Sequence, residues 1–313
     1  MPQALRYVFF NQGGLRAGWR LTIFLLIFLF LSFVLIFPLT SSARRLAATG
    51  IVTPGLQIVA DGVTFLALLL AAWIMSRIER RPMGIYGLPL KQQPVFSRLV
   101  TGYVFWGFLA LSTCLLTLHF LGAFDFGALA LHGTQIWVYG LKWFLAFLLV
   151  GLAEEYLLRG YALYTLADGI GFWPATIVLG VLFGLGHAAN PGETRIGVIA
   201  TVLFAVFASL TLRLTGNLWL AVGAHAGWDW GQSFFYGVSD SGITAEGHLL
   251  NPSFHGPVWL TGGSVGPEGS VVTLILWSAM MLLFYLIYRK RKQPVLVIEP
   301  GTAPPRGSGI ITP

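Results

Sequence analysis

Eight long apolar runs, separated by short polar segments, make up most of the chain. They cover residues 21–40, 56–75, 99–121, 136–158, 172–190, 196–214, 218–236 and 270–288. A helix needs about 20 mostly apolar residues to cross the hydrocarbon core of a bilayer. The pattern therefore predicts an all-α fold, a polytopic membrane helical bundle with about eight transmembrane helices.

The composition excludes an ordinary soluble globular chain. Of 313 residues, 10% are charged and 56% are hydrophobic, whereas soluble domains carry about 25% charged residues. So few charges would not cover the surface of a water-soluble fold.

The net charge of +7 does not indicate a nucleic-acid partner. The positive residues lie between the apolar runs, where they contact the lipid bilayer and set the orientation of the chain.

The distribution of positive residues predicts that orientation. If the chain crosses the membrane at every run, 15 of its 19 Lys and Arg residues lie on the side of the N-terminus. Residues 217–287 contain no Lys or Arg. Because cytoplasmic segments are enriched in these residues, we expect both termini in the cytoplasm. The predicted location is a bacterial cell membrane, and the pattern indicates no oligomeric state.

The polar segments divide the chain into five parts. These are residues 1–134 with three spans and a basic cytoplasmic loop at 76–98, residues 135–236 with spans four to seven, an external loop at 237–269, a last span at 270–288, and a tail at 289–313. The tail has the composition of a disordered segment. Asp168 falls between two runs and is expected in a loop.

Three polar clusters lie in spans four, five and seven. They read Glu154-Glu155-Tyr-Leu-Leu-Arg159, Phe183-Gly-Leu-Gly-His187 and His225-Ala-Gly-Trp-Asp229. Ionisable groups inside a bilayer are costly, so each of them is a candidate functional group. The candidate chemistry is thus concentrated between residues 154 and 229.

Helical spacing predicts how the acidic clusters are arranged. Residues four apart share one face of a helix, so we expect Arg159 to neutralise Glu155. Glu154 points about 100° away and is expected to face the bundle interior. The same spacing puts the imidazole of His225 on one face with the carboxylate of Asp229.

The middle cluster combines an aromatic ring, an imidazole and several glycines. Phe183 and His187 share a face, so the ring is expected to form a wall beside the imidazole. Small residues let a neighbouring helix approach closely. We therefore expect close packing at Gly180, Gly184 and Gly186.

Glu154, His187, His225 and Asp229 can support two kinds of hydrolytic chemistry. A carboxylate assisted by imidazoles can act as a general base on water. The same four residues are also candidate ligands of a divalent metal that lowers the pKa of water. Either use needs the residues close together, and we expect Glu154, His187 and His225 to lie less than about 10 Å apart.

Other hydrolases and pumps lack their usual signatures in this chain. Its one match to Gly-x-Ser-x-Gly, at residues 262–266, lies in the segment predicted as an external loop and not at a strand-to-helix turn, and the chain contains no His-Glu-x-x-His motif and no Walker-type loop. These observations disfavour a serine hydrolase, an ordinary zinc protease and a nucleotide-driven pump.

The ordered set of motifs resembles the CPBP family, which includes type II CAAX prenyl endopeptidases and bacterial Abi-type membrane proteins. The family pattern is Glu-Glu-x-x-x-Arg, then Phe-x-x-x-His, then His-x-x-x-Asn or Asp, and it covers about residues 135–235 here. The resemblance implies an intramembrane endopeptidase of the CAAX protease type that acts on a membrane-associated peptide or a lipidated protein. The family is usually called metalloprotease, so a divalent metal is implied, with zinc as the first expectation.

The resemblance also implies a role for each motif residue. Glu154 would activate the attacking water, assisted by His187, whereas His225 and Asp229 would stabilise the oxyanion or complete a metal site. The supporting residues would be Glu155, Arg159 and Phe183. Prenyl endopeptidases commonly have Asn at the position of Asp229. An ionised aspartate serves a metal better than an oxyanion, so this difference favours metal binding.

Two other classes of function use the same features differently. A non-catalytic membrane protein that confers immunity or scaffolds a sensor would not need all three motifs. A proton-coupled transporter would use the buried carboxylates and histidines, but the chain shows no internal repeat of the kind found in many transporters. Both alternatives predict that no peptide is cleaved.

Overall fold

A computed structural model of the chain describes residues 8–11, 14–37, 51–90 and 94–290. The strands are β1 (Phe10–Asn11), β2 (Gly14–Leu15), β3 (Ile51–Val52), β4 (Phe124–Leu129), β5 (Thr244–Ala245) and β6 (Leu250–Phe254). The helices are α1 (Ala17–Ile36), α2 (Pro54–Glu79), α3 (Val95–Phe120), α4 (Thr134–Arg159), α5 (Tyr161–Ile170), α6 (Phe172–His187), α7 (Arg195–Thr215), α8 (Trp219–Asp229), α9 (Val258–Thr261) and α10 (Val271–Tyr288). Residues 291–313 of the predicted disordered tail lie outside the described residues.

The chain is an all-α, multi-pass integral membrane protein, as predicted, but the count of eight spans is not confirmed. Among the described residues, six helical segments are long and apolar enough to cross a membrane. They are Ala17–Leu35, Pro54–Glu79, Val95–Phe120, Thr134–Ile170, Arg195–Thr215 and Val271–Tyr288. The predicted spans five and seven correspond to the shorter helices α6 and α8. The 16 residues of α6 reach only about 24 Å at 1.5 Å per residue, less than the thickness of the hydrocarbon core.

Helix α8 lies at the centre of the bundle, where it is surrounded by protein instead of lipid. All residues from Leu220 to Asp229 are buried, and the helix continues as a π-helical segment, Trp230–Phe235. Its neighbours are α3 and α4. A short helix suffices at this position because other helices, and not lipid, cover its whole length.

Glycines allow α3 and α8 to pack with their backbones nearly in contact. An ideal Cβ at Gly223 would lie 2.2 Å from the carbonyl oxygen of Leu99, and one at Gly227 would lie 2.1 Å from that of Tyr103. On α3, a Cβ at Gly107 would lie 2.3 Å from the carbonyl oxygen of Ala224. Any side chain on these glycines would push the two helices apart.

The glycines predicted to allow close packing on α6 behave differently from one another. An ideal Cβ at Gly184 would lie 2.8 Å from a methyl carbon of Val202, and one at Gly180 would lie 3.2 Å from Ala205 of α7. At Gly186 no atom lies within 4 Å of the Cβ position. The prediction was wrong for Gly186 because this residue borders a cavity.

Gly160, whose backbone has the non-helical angles φ −78° and ψ −124°, separates α4 from α5 within the segment Thr134–Ile170. An ideal Cβ at this glycine would lie 2.3 Å from the carbonyl oxygen of Tyr156. A larger residue would collide with the last turn of α4. The helix therefore ends directly after Arg159, and α5 begins at Tyr161.

An ion-pair network joins α1, α2 and α5. Arg20 donates to both carboxylate oxygens of Glu79, at 3.0 and 2.9 Å, and to Oδ2 of Asp168 at 2.7 Å. The hydroxyl of Tyr161 also donates to Glu79. Asp168 thus lies in a helix, and the prediction of a loop was wrong. Its position allows it to neutralise a buried arginine.

The segment between α8 and α10, predicted as a loop, is folded against the rest of the chain. Strand β6 pairs antiparallel with β4, and β5 pairs parallel with β3. Gly266 packs against the carbonyl of Ser239, and Gly242 packs against that of Pro191. These contacts hold residues 239–242 and 262–269 over the end of α6.

Candidate active site

The polar residues of α4 and α8 meet because the two helices pack closely at Gly151. An ideal Cβ at this residue would lie 2.9 Å from the carbonyl oxygen of Val222 and 3.5 Å from Cβ of His225. The next turn of α4 carries Glu154 and Glu155, so both carboxylates reach the imidazole of His225.

His225 is fixed by a buried carboxylate. Its Nδ1 lies 2.9 Å from Oε1 of Glu155, and the same oxygen accepts a hydrogen bond from Arg159 at 3.0 Å. Because a carboxylate oxygen in an ion pair only accepts, Nδ1 of His225 carries the hydrogen. The side chain of Glu155 is 0% exposed. The pairing of Arg159 with Glu155 agrees with the helical spacing, whereas the bond from His225 to Glu155 was not predicted.

The other nitrogen of His225 faces two more carboxylates. Nε2 lies 3.4 Å from Oδ2 of Asp229 and 3.6 Å from Oε2 of Glu154. The side chain of Asp229 is 8% exposed, whereas that of Glu154 is 34% exposed. Glu154 therefore remains accessible to a water or a substrate.

His187 lies on the opposite helix, α6, at the same cavity. Its Nδ1 is 3.0 Å from the carbonyl oxygen of Phe183, and the two rings stand edge to face with centroids 4.4 Å apart. The guanidinium of Arg159 lies over the Phe183 ring at 5.5 Å. In the described part of the chain, no hydrogen bond or ion pair joins His187 to Glu154 or His225. The distance predicted between His187 and the other two stays a prediction.

A cavity of about 610 Å³ connects these residues. Glu154, His187, His225 and Asp229 all lie on its wall. Much of the remaining wall is apolar, with Leu21, Leu25, Phe147, Leu182, Phe204 and Trp277 among its members. Leu25 of α1 and Leu182 of α6 are apolar wall residues whose side chains are exposed.

Two acidic residues that sequence reasoning missed also line the cavity. Asp240 and Glu268 come from the segment between α8 and α10, and their carboxylate oxygens lie within 4.8 Å of each other and of one from Asp229. Ser233 donates to Asp240 at 3.0 Å, and Ser241 donates to Glu268 at 3.2 Å. The sequence contained one indication of these two residues. Residues 217–287 contain no Lys or Arg, so the acidic residues in this segment have no basic partner nearby in the sequence.

Burial shifts the protonation of both residues. It raises the pKa of Asp240 to about 6, although the hydrogen bond from Ser233 acts in the opposite direction. The pKa of Glu268 is raised well above its usual range, first by burial and then by the negative charge of Asp240. A cation at this end of the cavity would lower both values.

The motif residues belong to one recognisable segment of the chain. Residues 136–231 match the family model for type II CAAX prenyl endopeptidase Rce1-like proteins. Residues 136–231, called the Rce1-like domain below, are similar to this family. The match supports the resemblance drawn from the three motifs and includes every residue of them. The 96 residues of the Rce1-like domain are less than a third of the chain. Neither a curated protein nor a solved structure gives a significant match to the chain.

The Rce1-like domain presents donor atoms at spacings that suit a divalent metal. With metal–ligand bonds of about 2.0–2.1 Å, atoms at the corners of a tetrahedron lie about 3.3–3.4 Å apart. Nε2 of His225 is 3.4 Å from Oδ2 of Asp229 and 3.6 Å from Oε2 of Glu154. Because Nδ1 carries the hydrogen, Nε2 of the neutral ring has a free lone pair. These two spacings suit a metal held by His225 with Asp229 or with Glu154, whereas the three described residues whose ligand atoms all lie within 4.8 Å of one another are Asp229, Asp240 and Glu268.

Proposed function

We propose that this protein is an intramembrane endopeptidase that hydrolyses a peptide bond of a membrane-associated peptide or a lipidated protein. The observation that carries this proposal is the 3.6 Å contact between Oε2 of Glu154 and Nε2 of His225 on the wall of a large cavity. This contact lies inside a domain related to a protease family. A partly exposed carboxylate beside an oriented imidazole is the arrangement that activates water.

Glu154 acts as the general base in this proposal. It takes a proton from a water, whose oxygen bonds to the carbonyl carbon of the substrate. The electron pair of the C=O π bond moves to the carbonyl oxygen. When that pair re-forms the carbonyl, the C–N bond breaks, and the leaving nitrogen takes the proton that Glu154 held.

The neighbours of Glu154 position it and assist it. Glu155, anchored by Arg159, holds Nδ1–H of His225, and this fixes the direction of Nε2 toward Glu154 and Asp229. His187 assists water activation from the α6 side of the cavity. Phe183 supports the ring of His187.

A divalent metal, with zinc as the first expectation, is the alternative use of the same residues. Glu154, His225 and Asp229 would hold it, with His187 as a further candidate ligand. When bound, it would supply Lewis-acid polarisation of the carbonyl and a lower pKa of water.

The walls of the cavity favour a substrate with an apolar segment next to the cleaved bond. Leu21, Leu25 and Leu182 give this wall an apolar lining, which suits a peptide or lipidated chain that reaches the site from within the bilayer. A bacterial cell membrane is the proposed location, and the distribution of Lys and Arg supports a cytoplasmic position for both termini.

The test compares the wild type with Glu154→Gln in lipid vesicles supplied with a mixed library of lipidated and apolar peptides. Products are identified by mass spectrometry, and bound metal is measured on the same samples. The matched control is Glu246→Gln, since Glu246 pairs with Tyr139 outside the cavity wall. We expect products from the wild type and the control but none from Glu154→Gln. Equal cleavage by all three chains, or none by any folded chain, would contradict the proposal, and the second result would favour a scaffold or a transporter.

A further inference from the structure

The cavity is unfavourable for the negative charge that forms during peptide hydrolysis. Its wall carries the carboxyl groups of Glu154, Asp229, Asp240 and Glu268, and among the described residues no Lys or Arg lines it. The oxyanion of a tetrahedral intermediate needs a hydrogen-bond donor that faces it. If the proposed function is correct and Glu154 acts as the general base without a metal, such a donor must come from the remaining polar groups of the wall.

The hydrogen bonds of the two imidazoles, His187 and His225, place the hydrogen of each neutral ring on Nδ1. Nδ1 of His187 lies 3.0 Å from a backbone carbonyl oxygen, which can only accept, so the hydrogen is on Nδ1. Nδ1 of His225 likewise donates to Glu155. In the neutral state, each ring then presents a lone pair at Nε2, which suits a base or a metal ligand. When His225 is protonated, its Nε2–H faces the carboxylates of Asp229 and Glu154 at 3.4 and 3.6 Å and so already has acceptors.

Most neutral donors on the wall already have acceptors. Three side chains donate to carboxylates: Ser233 to Asp240, Ser241 to Glu268 and Gln57 to Asp61. Three others donate to backbone carbonyl oxygens: Thr201 to Gly197, Thr273 to Pro267 and the indole of Trp143 to Glu246. The side-chain amide of Asn190 differs from them. Within the described part of the chain, it forms no hydrogen bond, although it lines the cavity.

The backbone holds Asn190 in a defined position beside the catalytic imidazole. Its N–H donates to the carbonyl oxygen of His187 at 2.9 Å, and its own carbonyl accepts from Glu193 at 3.1 Å. This turn continues from α6 and places Asn190 three residues after His187, where both side chains line the cavity. The next residue, Pro191, packs against Gly242, two residues from Asp240.

We infer that the side-chain amide of Asn190 stabilises the oxyanion of the tetrahedral intermediate by donating a hydrogen bond to it. This inference rests on the proposed hydrolysis and adds a residue outside the three motifs. The amide transfers no proton, and its bond to the carbonyl oxygen strengthens as negative charge accumulates there. The role also explains how a site with a carboxylate at position 229 stabilises negative charge.

Two indole N–H groups are the competing donors. Trp228 and Trp277 line the cavity. Within the described part of the chain, the indole N–H groups of these two residues donate no hydrogen bond. Both side chains are only 3% exposed, and their rings pack together with centroids 5.0 Å apart. Their packing in an apolar cluster leaves less access to a substrate than Asn190 has.

The experiment measures kcat and KM on a peptide that the wild type cleaves. Asn190→Ala is compared with Asn190→Asp, Asn190→Gln and Trp228→Phe. Asn251→Asp provides a matched control because Asn251 lies in β6, outside the cavity wall. Thermal unfolding of every variant in detergent identifies those that have not folded.

We expect Asn190→Ala to lower kcat by about 10²–10³-fold, the typical effect of losing one oxyanion donor. KM should change less than about threefold, because the lost bond belongs to the transition state. Asn190→Asp should be at least as slow as Asn190→Ala, Asn190→Gln should restore part of the rate, and Asn251→Asp should match the wild type.

Three results would overturn the inference. A folded Asn190→Ala with wild-type kcat would reject it while leaving the proposed hydrolysis intact. A large loss of kcat in Trp228→Phe with none in Asn190→Ala would assign the oxyanion to the indole. A folded wild type that cleaves no peptide would reject the proposed function and the role of Asn190 together.

Discussion

Nδ1 of His225 lies 2.9 Å from Oε1 of Glu155, and this contact connects the central imidazole of the site to its most buried carboxylate. Glu155 is also bound to Arg159 at 3.0 Å. The three side chains form a chain of contacts from the end of α4 to the middle of α8. They fix the ring of His225 before any substrate enters.

Removing the positive charge of Arg159 should lower the stability of the protein. In Arg159→Met, the carboxylate of Glu155 stays buried and loses its strongest partner, and breaking a buried pair typically costs about 3–5 kcal/mol. We expect the free energy of unfolding to fall by an amount of this order, as measured by denaturant titration in detergent. The double variant Glu155→Gln/Arg159→Met should recover part of the loss. A single variant as stable as the wild type would contradict the role of the pair.

The network around Arg20 should stabilise the contact between α1, α2 and α5. Glu79 accepts two hydrogen bonds from Arg20 and a further one from Tyr161. Glu79→Gln keeps the size of the side chain but leaves Arg20 with Asp168 alone, so the midpoint of thermal unfolding should fall clearly. Glu246→Gln, outside this network, should have a much smaller effect. Equal midpoints for the two variants would show that the network contributes no stability.

Close packing of α3 and α8 predicts a strong effect of one methyl group. In Gly227→Ala, the new Cβ would lie 2.1 Å from the carbonyl oxygen of Tyr103, and backbone cannot move aside as a side chain can. Overpacking costs about 1–3 kcal/mol, and we expect at least this loss in the free energy of unfolding. In Gly55→Ala, no atom lies within 4 Å of the added carbon, so stability should not fall. Similar stabilities of the two variants would contradict the close contact.

The buried carboxylate of Asp240 predicts how stability depends on pH. Its pKa is raised from 3.8 to about 6, so folding favours the protonated form. The resulting stability is fully present below pH 3.8 and is lost as the pH rises through about 6. The midpoint of thermal unfolding is measured at about pH 4.5 and about pH 7.5, on either side of the raised pKa of Asp240. Between these two values, the wild type should lose more thermal stability than Asp240→Asn. The exposed residue Asp125 provides the control Asp125→Asn, and a pH profile of Asp240→Asn identical to that of the wild type would reject the shift.

Much of the fold was predictable because membrane insertion depends on local composition. The apolar runs predicted the helices, and the positive residues predicted an orientation that awaits a test. The run at 218–236 was predicted as a span, yet α8 is a short central helix covered by protein. Its hydrophobicity resembles that of a lipid-facing helix because lipid and protein interiors favour the same side chains.

The candidate site was predictable where its residues lie on one helix. Four-residue spacing correctly paired Glu155 with Arg159, and it placed His225 beside Asp229. The contacts of Asp240 and Glu268 were not predictable, since they depend on a segment that folds back over α6 after the last turn of α8. The bond from His225 to Glu155 depends on the packing of two helices at Gly151, which the spacing within one helix does not report.

The most direct test of the central claim is the initial rate of cleavage by Glu154→Gln relative to the wild type. Both proteins are reconstituted in equal amounts in the same vesicles and supplied with one peptide that the wild type cleaves. Glu154→Gln keeps the size of the side chain but cannot accept the proton of the attacking water. The account predicts that the rate falls by at least about 10²–10⁴-fold, the contribution of a general base, while the unfolding midpoint stays near that of the wild type. A folded variant that cleaves within about tenfold of the wild-type rate would contradict the account, because a general base is expected to contribute more than that.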